Sequence, residues 1–66
     1  MIDDPEIIGA ARLLIERHGN RASTWAAERA DEDLARDDIA GVTMWHVIGR
    51  TIEELQRERR ADEALN

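Results

Sequence analysis

Apolar residues recur along this chain with the period of a helix, most strongly between Ile39 and Leu55. At roughly 100° per residue, Val42, Trp45, Ile48, Ile52 and Leu55 share one side with Gly41. Thr43, His46, Arg50, Glu53 and Arg57 fall opposite. The spacing predicts a two-sided helix over residues 38–59, opened by Asp37 or Asp38 as the cap. The periodicity stops after Leu55, so residues 61–66 are expected to fray.

A first helix is expected over residues 5–18. Asp4 can cap it, Pro5 suits its first position, Glu6 suits its positive end, and Gly19 can end it. Ile7, Ile8, Ala11, Leu14, Ile15 and His18 share a face, from which Leu13 points away. A second helix is expected over residues 21–36, capped by Asn20 or Ser23, with Ala22, Ala26, Ala27, Ala30 and Leu34 inward and Trp25 off that face. Its small side chains allow close approach but bury little apolar area, and Gly41 on the third helix is the expected place for that approach. Glu32 and Arg36 are spaced for an ion pair across one turn. There is no strand signal and no repeat, so the expected fold is all-α, a small three-helix bundle in a single domain over residues 1–66.

Composition narrows the role. A chain of 66 residues hides a small fraction of its unfolded surface, and with no cysteine for a disulfide and no zinc-ligand spacing, self-association is the remaining route to extra stability. The formal net charge is −6, which disfavours nucleic acid as a partner. No apolar run approaches the roughly 18 residues of a membrane span, and the acidic start is unlike a signal peptide, so the expected compartment is the cytoplasm.

Asp4-Pro5-Glu6-Ile7, Ala11-Arg12-Leu13-Leu14-Ile15 with His18-Gly19, Arg29-Ala30-Asp31, Trp45 and Ile52-Glu53-Glu54-Leu55-Gln56 span most of the chain. In these residues it resembles a domain-of-unknown-function family of short bacterial, alphaproteobacterial, helical proteins. The resemblance implies a helical fold and no activity, since that family has none assigned. Asp37 stands where the family pattern has glycine, and Gly49 where it has a larger helix former. Residues 30–55 are more weakly similar to one helix-turn-helix unit of a tetratricopeptide repeat, and one unit cannot make a solenoid.

Candidate chemistry is sparse. His18 and His46 lack a second histidine at metal-ligand spacing, and Ser23, Thr24, Thr43 and Thr51 lack a neighbouring base. Asp31, Glu32, Asp33, Asp37 and Asp38 lack the spacing of a calcium loop and read as solvated or capping groups, while Arg57, Arg59 and Arg60 complement a helix C-terminus. No catalytic residue, metal ligand or cofactor is therefore expected. What is left over is apolar surface. Leu13, Trp25, Met44, Trp45 and Val47 are apolar beyond the expected inner faces, which means either a bundle wrapped more completely than a helical wheel shows or a protein interface, and tryptophan and methionine, common interface anchors, favour the second. The expectation is a protein interaction module, a homodimer without catalysis. The alternative is a monomeric acidic adaptor or inhibitor that meets a basic partner protein through Glu28, Glu32 and Asp33.

Overall fold

The helices start and stop on local chemistry. A computed structural model describes residues 4–64, with side chains described for residues 4–60. Within them all regular structure is helical: α1 (Pro5–His18), a 3-10 turn (Gly19–Arg21), α2 (Ala22–Ala35) and α3 (Ile39–Ala64). At the head of α1 the Glu6 amide donates to Asp4 Oδ1 at 2.9 Å. Gly19 closes the helix with φ 57°, its N–H donating to the Ile15 carbonyl, a backbone angle that favours glycine.

Neither Asn20 nor Ser23 caps α2. The chain instead tightens into the 3-10 turn, and the Ala22 N–H donates to the Gly19 carbonyl, so the turn satisfies backbone groups that a cap would otherwise serve. At its far end α2 stops in a Schellman motif. Asp37 N–H donates to the Leu34 carbonyl at 3.0 Å and Asp38 N–H to the Asp33 carbonyl at 2.8 Å, with Asp37 at φ 61° in the left-handed region. Asp38 then caps α3 by accepting from the Gly41 amide at 3.0 Å. Where the apolar pattern expects fraying from Ala61, the α3 backbone stays helical to Ala64; Leu65 and Asn66 lie outside the described residues.

Helices α2 and α3 pair most extensively, α1 lies against α3, and α1 and α2 meet least. The core joins Ala11 of α1, Ala22 and Ala26 of α2, and Ile48 and Ile52 of α3. Ile7, Leu14, Ile15, Trp45 and Leu55 pack around it, half-buried. Thr51 is buried among them and keeps its hydroxyl satisfied on the Val47 carbonyl at 2.9 Å.

Two inward assignments on α2 are corrected. Ala27 is exposed and Leu34 is 58% exposed, while Asp33 takes the inner position at 7%. The buried arc of α2 runs through about 80°, from Ala22 past Asp33 and Ala26 to Ala30, and Leu34 lies about 40° beyond its edge. The close approach of α3 to the alanine face falls at Gly49, where an added Cβ would stand 3.8 Å from Ala26 Cβ. Gly41 serves another contact: an added Cβ would overlap Asp33 Oδ2 and come within 2.8 Å of Asp38 Oδ2.

Candidate functional site

The face of interest is built around two tryptophans on different helices. Trp25, early in α2, and Trp45, in the first half of α3, meet edge to face with centroids 5.4 Å apart, a geometry that aromatic quadrupoles favour. His18, at the end of α1, stacks on Trp25 at 5.0 Å with its plane 18° away. The Arg29 guanidinium carbon lies 5.6 Å from the centroid of each tryptophan ring, and Arg29 Nη1 reaches Glu32 Oε2 at 3.2 Å. Its Nε is enclosed without a hydrogen-bond acceptor, so the indole faces take part of the role that an anion or water would fill.

Thus of the five residues singled out by sequence, Trp25 and Trp45 come together, half-buried, and Trp45 also packs on the core. Val47 is half-buried as well. Leu13 and Met44 are open to solvent at 45% and 50% exposure. Trp25 is therefore a contact shared among all three helices rather than a freely projecting anchor, while Leu13 and Met44 keep the exposure expected of interface residues. Sequence reasoning missed Leu34 and also Ile39, each 58% exposed at the corner between α2 and α3. The missing signal was the left-handed turn at Asp37, which brings α3 back over Asp33 and leaves Leu34 at the outer edge of α2.

The acidic group divides too. Asp33 is buried beside the first turn of α3, where the positive end of the helix dipole favours it, with Arg36 Nη1 3.8 Å from its Oδ1. The ion pair expected between Glu32 and Arg36 is replaced by Arg29–Glu32 and Arg36–Asp33, each three residues apart. Of the three residues proposed to meet a basic partner, Glu28 and Glu32 are exposed and Asp33 is not. Among the described residues no three acidic or histidine side chains converge as a metal ion would require, and no helix is long and apolar enough to cross a membrane.

The opposite end of the molecule holds an open cleft of about 620 Å³, lined by Asn20, Ser23, Glu53, Gln56, Arg59 and Arg60 among others. Gln56 Nε2 donates to the Gly19 carbonyl at 2.9 Å and ties α3 to the junction of α1 and α2.

The surface so described is a half-buried aromatic patch on an all-α chain. No protein-family model, curated protein or solved structure matches this chain.

Proposed function

We propose that this chain is a small three-helix bundle whose role is protein–protein interaction, that it forms a homodimer, and that it has no catalysis of its own. Excess surface carries the reading. A monomer of 7.5 kDa is expected to expose about 4,250 Å² by the usual mass scaling. This chain exposes 5076 Å², more than that, with Leu13 and Met44 open to solvent. Its radius of gyration is 12.5 Å, against about 10.8 Å for a compact chain of this length. Open Leu13 and Met44, with half-buried Val47 and the edges of Trp25 and Trp45, supply the apolar part of the contact.

Light scattering at micromolar concentration is expected to give twice the mass of 7.5 kDa. Met44→Asp should raise the dimer dissociation constant at least about tenfold, since it places an unpaired charge in the contact. A monomer mass up to millimolar concentration would remove the reading. A second reading, a monomeric acidic adaptor or inhibitor for a basic partner protein, is favoured by the exposed carboxylates Glu28, Asp31 and Glu32 along α2. That reading requires the isolated chain to remain a monomer while still retaining a basic protein.

A further inference from the structure

We infer that the corner between α2 and α3 is a docking surface for a basic segment of another protein, one that carries apolar residues among its lysines and arginines. The inference rests on the reading of this chain as a protein-interaction module and adds a second surface to it, since Leu34 and Ile39 lie outside the contact proposed for the homodimer.

Three observations carry it. First, charge is concentrated at this corner. Residues 28–38 hold six carboxylates and two arginines, and so account for four of the six net negative charges of the chain. Second, the group does not neutralise itself. Arg29 pairs with Glu32 and Arg36 with Asp33, while Asp38 is engaged by the Gly41 amide. Among the described residues Glu28, Asp31 and Asp37 have no cationic partner, and all three are exposed.

Third, the corner is apolar as well as acidic. Leu34, in the last turn of α2, and Ile39, at the start of α3, are each 58% exposed, more than Leu13 or Met44. Ala27, Asp31 and Leu34 follow one another at four and three residues, so they line one open side of α2. Asp37 stands in the turn that leads from Leu34 to Ile39. Each open apolar side chain therefore has an unpaired carboxylate two or three residues away.

That combination selects the occupant. An uncharged apolar partner would bury carboxylates without pairing them, and a polycation without apolar residues would leave Leu34 and Ile39 in water. A segment with both satisfies the whole surface, its aliphatic stems and apolar side chains lying over Leu34 and Ile39 and its cationic heads meeting Asp31 and Asp37. A second copy is the poorer match, since it brings a net charge of −6 of its own.

The test uses the full chain and two synthetic peptides, one an amphipathic helix of lysine and leucine, the other with its leucines replaced by serine. Titration calorimetry is expected to find the leucine peptide bound at least about tenfold tighter than the serine peptide. Leu34→Ser with Ile39→Ser, both at exposed positions and checked for folding by far-UV circular dichroism, should remove that advantage. Asp31→Asn with Asp37→Asn should weaken the leucine peptide at least about fivefold, and asparagine tolerates the left-handed angle at residue 37. Glu16→Gln with Glu54→Gln removes the same charge from exposed positions toward the end where Gln56 bonds Gly19, and should change binding less than about twofold. Equal weakening by the two charge pairs, or an apolar pair without effect, would overturn the corner as the site and leave an acidic chain that binds basic peptides diffusely. Absence of binding by either peptide would overturn the inference outright. Loss of self-association in the apolar pair would assign the corner to a second copy and overturn it as well. The homodimer reading stands or falls on the wild-type mass, which none of these titrations measures.

Discussion

Gly41 and Gly49 lie eight residues apart in α3, and adding the same methyl group to each should have opposite effects. At Gly49 the new Cβ meets only Ala26 Cβ at 3.8 Å, an ordinary contact, and at Gly9 it meets nothing within 4 Å. Gly49→Ala and Gly9→Ala should each stabilise by up to about 1 kcal/mol through helix propensity. Gly41→Ala drives a Cβ into the buried Asp33 carboxylate and should destabilise by about 1–2 kcal/mol net, overpacking exceeding propensity. Asp37→Gly belongs to the same series, since φ 61° is strained for aspartate, and should stabilise by up to about 1 kcal/mol. Thermal melts read all four, at about 4–8 °C per kcal/mol for a chain of this size. The Gly41→Ala loss should shrink in an Asp33→Ala background, where the nearer of the two carboxylates is gone. Periodicity alone put Leu34 inside and Asp33 in solvent, the reverse of the structure. The error is physical: α3 turns back over Asp33 through the left-handed Asp37, a tertiary arrangement that hydrophobic spacing on α2 does not encode.

Between elements, stability should be uneven. Helices α2 and α3 pair along most of α2, whereas α1 rests mainly on α3 and shares little with α2 beyond their junction. Native-state hydrogen exchange should therefore find the amides of α2 and the middle of α3 slowest, and those of α1 opening at lower free energy. Gln56→Ala, which removes the bond to Gly19, should speed exchange in the last turn of α1 and cost about 0.5–1 kcal/mol. Uniform protection across all three helices would contradict this ranking. The starts and stops of these elements were largely legible, because Asp4-Pro5-Glu6, Gly19 and Asp38 act through their own neighbours. The continuation of α3 beyond residue 59 was not. The apolar pattern reports which residues pack, and the residues from Arg57 to Arg60 are helical while exposed.

At the scale of the whole molecule, the surface is large for the mass. If folding is coupled to pairing, the melting temperature must rise with protein concentration, since mass action favours the associated state. A hundredfold increase from about 5 μM should raise it by several degrees. The candidate site was half legible. Leu13 and Met44 are exposed, and the contact between Trp25 and Trp45 depends on how α2 docks on α3, which the periodicity of neither helix encodes. His18 and Arg29 join them for the same reason.

Both tryptophans of the chain sit in that one assembly. Intrinsic fluorescence consequently watches a single corner, where the end of α1 meets α2 and α3, and is blind to the remainder. Followed during denaturation beside circular dichroism, which averages over every helical turn, it turns the molecule into its own gauge of whether that corner loosens before the rest lets go.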